Sequence, residues 1–184
     1  LIGLVGYGAA VMVLVKSGLG AASWNVLTEG IARQTGLSFG WTTNLIALVV
    51  LLAWIPLREM PGLGTVLNVC LVGVAADTTA LVLPEAPNRA LGVCYLAFGV
   101  ATLAFFDALY LGAQFGAGPR DGIMTGLTRA THQPVRRVRT VIEIIVASLG
   151  WWLGGTVGVA TVIVAVSLGP MLGFWLPRVA VRIT

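Results

Sequence analysis

Charged side chains are scarce in this sequence. Only 10% of the 184 residues are charged, whereas a soluble domain carries about a quarter because its surface must be solvated. With a mean hydropathy of +0.96, the chain has too little polar surface to cover a water-facing shell. The composition therefore excludes an ordinary water-soluble domain and predicts an exterior that faces lipid hydrocarbon.

Residues that build metal centres and redox sites are also few: the chain has two cysteines and one histidine. Cys70 and Cys94 lie within apolar runs, where we expect buried, unpaired thiols. His132 stands alone in a loop, and no catalytic triad or phosphate-binding motif is present. We therefore expect no metal ion, no cofactor and no enzymatic activity.

The net charge of +4 would suit a nucleic-acid partner. However, the basic residues separate apolar runs and do not form one basic and aromatic face. The expected partners are therefore membrane lipids and a small solute of unknown identity, and no nucleic acid. The sequence leaves open whether the protein is a homo-oligomer.

Long apolar runs dominate the chain. A transmembrane helix needs about 20 apolar residues, and about 17 are tolerated. Six runs approach or reach that length, at residues 1–15, 39–55, 64–83, 91–113, 138–153 and 157–176. Two shorter and more polar stretches, 23–34 and 119–131, predict short helices. We therefore expect an all-α, polytopic membrane helix bundle with six transmembrane helices and two short helices.

The two halves of the sequence repeat each other at an offset of 96 residues, without a gap. Matches between Ile and Val carry little weight, because apolar runs draw on few residue types. More specific are four aligned glycines and the match of Arg33 with Arg129, which comes two residues before an aligned pair of threonines. We interpret the chain as a single membrane domain, 1–184, made of two units at about 1–86 and 87–184.

Each unit is predicted to contain three spans and one short helix. An odd number of spans turns the second unit upside down, which gives the inverted 3+3 repeat of many transporters. In a rival layout the short helices also cross, giving four plus four parallel spans. Twelve or thirteen residues reach only about 18–20 Å, against a hydrocarbon core of about 30 Å. We therefore favour six spans.

Basic residues are divided unequally between the two predicted faces. One face holds Lys16, Arg33 and Arg89. The other holds Arg58, Arg120, Arg129, Arg136, Arg137, Arg139, Arg178 and Arg182. Because cytoplasmic loops carry the excess of Lys and Arg, we expect a multi-pass membrane protein with both termini in the cytoplasm. The four-plus-four layout passes the same charge test.

The starts of the two short helices are the predicted binding elements. The second has proline at its first helical position, Pro119, and an acid at its third, Asp121, and the first has Ser23 as its expected N-cap. In an inverted pair, the two starts bring unpaired N–H groups together near the midplane, where they suit an anionic or hydrogen-bond-accepting solute. The alternative is that both short helices are amphipathic helices that lie at the membrane interface and only seal the end of the bundle.

Polar residues four apart form a stripe on one face of each short helix. The stripe falls at equivalent positions of both units, which favours a shared role in lining a cavity. We predict that the solute contacts Trp24, Asn25, Glu29, Arg120, Asp121 and Thr125.

Five further carboxyl and amide side chains fall within the apolar runs: Asn44, Asn68, Asp77, Asp107 and Glu143. A charge at the bilayer centre costs about 2.5–3.5 kcal/mol on insertion scales, so such residues usually face the bundle interior. They are candidates for ion coupling or for solute contacts. The structural alternative is a carboxyl held by a neighbouring group, such as Glu143 by Arg139. Asp107 has no obvious partner in sequence and is the best candidate for a titrating group.

Several stretches, taken together, match a known pattern. They are residues 18–20, 24–27, 61–68, 116–124, 138–143 and 150–155, of which the Gly-Ala-Gly-Pro-Arg-Asp-Gly string at 116–122 is the most specific. Over nearly its whole length the chain resembles the YczE/YyaS/YitT group of bacterial membrane proteins. That group usually has Pro-Trp-Asp where this chain has Ser23, Trp24 and Asn25, so a negative charge is missing here. The resemblance implies an architecture and a location in the bacterial cytoplasmic (inner) membrane, and it carries no settled activity.

The leading functional hypothesis is a small membrane transporter or permease for a small, anionic solute, with its site at the interface of the two units. The alternative is a membrane protein that binds a lipid or a partner membrane protein without transport, in a regulatory or structural role. A water-accessible cavity between the units would favour the first, and its absence the second.

Overall fold

The computed structural model describes residues 1–180, and in that range the chain is entirely helical apart from its loops. Arg182, which the charge count included, lies outside the described residues. The eight helices are α1 (Ile2–Lys16), α2 (Ser23–Thr35), α3 (Phe39–Leu57), α4 (Leu63–Val82), α5 (Arg89–Gly112), α6 (Pro119–Thr131), α7 (Val135–Trp152) and α8 (Val159–Val179). The predicted all-α class is confirmed.

Four helices, α3, α4, α5 and α8, are long and apolar enough to cross a membrane. Length and composition thus support four of the six predicted spans. α1 is apolar but has only 15 residues. α7 has 18 residues and carries three arginines and a glutamate near its start, which lowers its mean hydropathy.

The short helices begin where backbone and side-chain chemistry allow. Pro119 occupies the first turn of α6, where its missing N–H is no loss, as predicted. The prediction for α2 was wrong: Ala22 is the N-cap, Ser23 is already helical, and no side chain caps this end. In α3, by contrast, the Ser38 hydroxyl accepts from the Trp41 N–H at 3.2 Å.

Contacts between the two halves recur at the same offset of 96 residues. The Gly64 N–H donates to the Phe115 carbonyl at 2.7 Å, and the equivalent Ala160 N–H donates to the Leu19 carbonyl at 3.0 Å. Each half therefore donates one backbone hydrogen bond to the other and accepts one from it at equivalent positions, as two subunits related by a two-fold axis do.

The linkers before α2 and α6 also match each other. Gly20 and Gly116 both have a left-handed backbone, with φ of 109° and 117°. A Cβ on Gly20 would lie 2.6 Å from the Gly158 nitrogen, and one on Gly116 would lie 2.9 Å from the Gly62 Cα. Glycine is needed at both positions for conformation and for close approach.

α1 lies at the centre of the bundle and packs against α4 and α5, and α5 packs in turn against α8. The buried cluster between them includes Leu14, Val100 and Leu103. Backbone approaches show that α1 and α5 run in opposite directions, because Gly3 lies beside Tyr110 while Gly92 lies beside Ser17.

Each short helix packs against a long helix of the other half, α2 against α7 and α6 against α3. A Cβ on Gly30 of α2 would lie 2.5 Å from the Gly150 carbonyl oxygen, so these backbones approach closely. In the α3–α6 pair the Trp54 indole fills the space beside Gly122 and donates to the Pro119 carbonyl at 3.0 Å.

The two halves differ at one pair of helices. α3 packs tightly on α4, and we call this contact the α3/α4 seam. Its equivalent, the α7/α8 seam, is open: the two helices scarcely touch, and a Cβ on Gly169 or Gly173 of α8 would meet nothing within 4 Å.

Polar groups hold the α3/α4 seam closed. The Asn44 side-chain oxygen accepts from the Gly73 N–H at 3.1 Å. The Asp77 carboxylate accepts from the Gly40 N–H at 2.7 Å and from the Ser38 hydroxyl at 2.5 Å. Asp77 is therefore tied to the start of α3, which is the structural alternative considered for it.

The two cysteines are unpaired, but the expectation that they are buried was wrong. Cys70 on α4 and Cys94 on α5 are both exposed on the outside of helices that qualify as membrane spans. A thiol is apolar enough to face hydrocarbon, so sequence alone did not separate the two environments.

Candidate functional site

The starts of α2 and α6 meet at one cavity of about 400 Å³, the volume of a small-molecule site. Ser23 and Trp24 reach it from α2, and Pro119, Arg120 and Asp121 reach it from α6. Helices of both halves complete the wall. The structure thus brings together the two helix starts that the sequence singled out.

Arg120 joins the two short helices across the cavity. Its guanidinium lies over the Trp24 ring, 5.3 Å from the ring centroid, as in a cation–π contact. Tyr7 of α1 lines the same cavity. The stacking holds the guanidinium at the cavity wall while leaving donors for an anionic group.

Three carboxyl groups line the same cavity: Asp107, Asp121 and Glu143. Glu143 is paired with Arg139 at 2.9 Å. Among the described residues, Asp107 and Asp121 belong to no ion pair, although the Gly118 backbone hydrogen-bonds the Asp121 carboxyl. The wall therefore carries three potential negative charges and two positive ones.

Uncharged polar groups lie beside these charges. Asn68 of α4 and Tyr110 of α5 line the cavity. The Tyr110 hydroxyl donates to the Gly116 carbonyl at 3.2 Å, in the linker that leads into α6. This hydrogen bond ties α5 to the start of α6.

Four residues assigned from the sequence lie away from this cavity. Asn25 is 1% exposed, and Thr125 donates to the Gly122 carbonyl at 3.0 Å within α6. Glu29 and Asp77 line a second, wider hollow at the end of the bundle that holds Lys16. The polar stripe predicted on each short helix thus extends beyond the cavity and serves packing as well.

The second hollow is closed on one side by an ionic network around Glu29. Its carboxylate accepts from the Thr156 N–H at 2.8 Å and from the Thr156 hydroxyl at 2.9 Å. Arg33 pairs with the same carboxylate at 2.5 Å. This network links the end of α2 to the loop before α8.

Sequence reasoning missed Tyr7 and Tyr110, and it named Arg139 only as a partner of Glu143. Tyrosine in an apolar run gives little signal, because its ring is at home in a membrane helix. Arg139 was counted as a cytoplasmic charge, but it lines the cavity. Arg120 was counted in the same way, yet it lies at the cavity and does not mark either end of the bundle.

The helices and the cavity define the class: a helical membrane protein with a solute-sized pocket lined by both halves of the chain. A family model described as a family of unknown function, DUF6198, matches residues 1–177. The chain belongs to this family.

Three curated relatives agree with that assignment. An uncharacterized protein of Haemophilus influenzae is 41% identical over 96% of this chain and 80% of its own length. The uncharacterized membrane protein YczE of Bacillus subtilis is 29% identical over 95% of this chain and 81% of its own. YyaS of the same organism is 23% identical over 94% and 92%. The resemblance to the YczE/YyaS group is thus confirmed, and no solved structure matches.

Proposed function

We propose that the protein is a small membrane transporter or permease whose solute binds in the cavity between the starts of α2 and α6. The observation that carries the proposal is that both halves deliver a helix N-terminus to one pocket of about 400 Å³. Helix N-termini present unpaired N–H groups and positive dipole ends, and transporters use such broken helices for solute binding.

The proposed architecture is six spans in an inverted 3+3 repeat, with α1 and α7 as the two additional spans. The antiparallel course of α1 and α5 supports inversion, because α5 contains the repeat equivalent of α1. The ends of the short helices support it too. Arg33 of α2 binds the Gly154 carbonyl, whereas Arg129 of α6 binds the Leu57 carbonyl at the other end of the bundle.

The orientation follows from the remaining charges. Arg58, Arg129 and Arg178 lie at the same end as the start of α7, and Lys16, Arg33 and Arg89 lie at the other. The positive-inside rule then puts the arginine-rich end, with both termini, in the cytoplasm of the bacterium. Reporter fusions that are active only in the cytoplasm, placed after residues 86 and 180, test this: only the second should be active.

The charged groups of the cavity limit which solutes the proposed site can bind. Arg120 offers a guanidinium to an anionic group. Asp107 and Asp121 form no salt bridge among the described residues, although Arg120 and Arg139 lie close enough to attract both carboxyl groups. A solute that also carries a positive or hydrogen-bond-donating group would give these two carboxyl groups a direct partner. We therefore expect a small zwitterion to bind better than a simple anion.

A thermal-shift screen of small metabolites against the purified protein should find such a ligand, because a ligand of the folded state raises its apparent stability. Uptake of that ligand is then measured in proteoliposomes. Arg120→Gln should abolish uptake, whereas Arg89→Gln, at an exposed position far from the cavity, should not. Uptake by Arg120→Gln at the wild-type rate would refute the proposed site.

A further inference from the structure

We propose that the open α7/α8 seam binds an anionic phospholipid, with an acyl chain along α8 and the phosphate on Arg136 and Arg137. This lipid site goes beyond the transport proposal and holds whether or not the cavity carries a solute. The difference between the two seams and the charges at one end of the open seam support the lipid site.

Residue 136 keeps the open seam from closing as its equivalent does. In the α3/α4 seam the backbones of Gly40 and Gly73 touch, and a Cβ on Gly40 would overlap the Gly73 carbonyl oxygen. The repeat equivalent of Gly40 is Arg136, while Gly169 stands where Gly73 does. The same close packing of α7 on α8 would drive the Arg136 Cβ into the Gly169 backbone.

The polar groups that hold the first seam are also missing from the second. Asn44 is replaced by Thr140, and Asp77 by Gly173. The Thr140 side chain is too short to reach across to the neighbouring helix, and Gly173 has no side chain. The hydrogen bonds that hold the first seam therefore have no equivalent in the second.

The α8 wall of the open seam is apolar and reaches the cavity. It is bare at Gly169 and Gly173, where a Cβ would meet nothing within 4 Å. Leu168 and Leu172 of α8 line the cavity itself. In a bilayer a gap along this wall fills with hydrocarbon, because water there would face an apolar surface.

The arginines at one end of the seam favour a lipid with an anionic headgroup. Among the described residues, Arg136 and Arg137 belong to no ion pair, and Arg178 lies at the same end of the bundle, on the last turn of α8. Several arginines at a membrane surface attract anionic lipids, at about 1 kcal/mol for each arginine. The predicted occupant is therefore an anionic phospholipid such as phosphatidylglycerol, in preference to a zwitterionic one.

Native mass spectrometry of the delipidated protein, titrated with phosphatidylglycerol or phosphatidylcholine, tests the proposal. We expect the wild-type protein to retain more phosphatidylglycerol than phosphatidylcholine. Arg136→Gln with Arg137→Gln should weaken phosphatidylglycerol binding roughly 30-fold, from about 1 kcal/mol for each charge. Gly169→Leu fills the seam and should displace the lipid without loss of fold. Arg89→Gln and Ala101→Leu, both at exposed positions, are the matched controls.

Three outcomes would overturn the proposal. The first is equal retention of the two lipids by the wild type. The second is unchanged binding in Gly169→Leu relative to Ala101→Leu. The third is a dimer that dissociates in Gly169→Leu, since the seam would then be an interface between two copies. Solute uptake is not measured here, so failure of this test leaves the transport proposal untouched, and the reverse also holds.

Discussion

The two seams allow one substitution to be made twice, in opposite surroundings. Gly73 and Gly169 are repeat equivalents in the middle of α4 and α8. A Cβ on Gly73 would lie 2.6 Å from the Asn44 side-chain carbon and would overlap the Gly40 carbonyl oxygen. A Cβ on Gly169 would meet nothing within 4 Å. Both Gly→Ala changes gain the same helix propensity, about 1 kcal/mol, so their difference isolates the packing term.

We expect Gly73→Ala to be less stable than Gly169→Ala by about 2–4 kcal/mol. Overpacking costs about 1–3 kcal/mol, and loss of the Asn44 hydrogen bond to the Gly73 N–H adds about 1 kcal/mol. For a chain of this length the difference corresponds to about 4–16 °C in Tm. Tryptophan fluorescence during heating in detergent measures it. Equal melting temperatures would refute the claim that one seam is closed and the other open.

Three smaller predictions use the same assay. Thr65→Val should cost about 1–2 kcal/mol, because Thr65 accepts from the Gly62 N–H and donates to the Ala117 carbonyl at 2.6 Å, and an unchanged Tm would contradict this role. Trp54→Phe should cost at least about 1 kcal/mol, because it leaves the buried Pro119 carbonyl without its donor. The control Trp41→Phe, at a 62% exposed ring, should stay within about 0.5 kcal/mol. Glu29→Gln should cost about 1 kcal/mol through the lost charge on the hydrogen bonds to Thr156, and a more stable variant would show that this network is not needed.

The helix bounds were accessible from the sequence because each depends on local chemistry. Pro119 fixes the start of α6, and glycine or proline ends most apolar runs. The offset of 96 residues was equally accessible, since the matching arginines and glycines occupy positions with matching backbone geometry, such as Gly20 and Gly116. These features need no knowledge of which helices pack together.

The contents of the site were only partly accessible. Trp24, Arg120 and Asp121 were found because they follow the start signals of short helices. Tyr7 and Tyr110 come from long helices, and only tertiary packing brings them to the cavity. Asn25 was not separable from the cavity residues in sequence: its repeat equivalent Asp121 lines the cavity, whereas the Asn25 side chain is buried, and only the packing of the two halves makes this difference.

The difference between the seams shows how equivalent helices of a duplicated sequence can pack differently. Reciprocal hydrogen bonds at Gly64 and Ala160 keep the two halves in a common frame. Within that frame, Gly40 in one half is replaced by Arg136 in the other, and Asn44 and Asp77 are replaced by Thr140 and Gly173, so α3 and α4 pack closely whereas α7 and α8 scarcely touch. The closed seam borders the cavity, and the lipid site that we propose lies at the open one. Both proposals therefore depend on where the repeat departs from symmetry as well as on where it is kept.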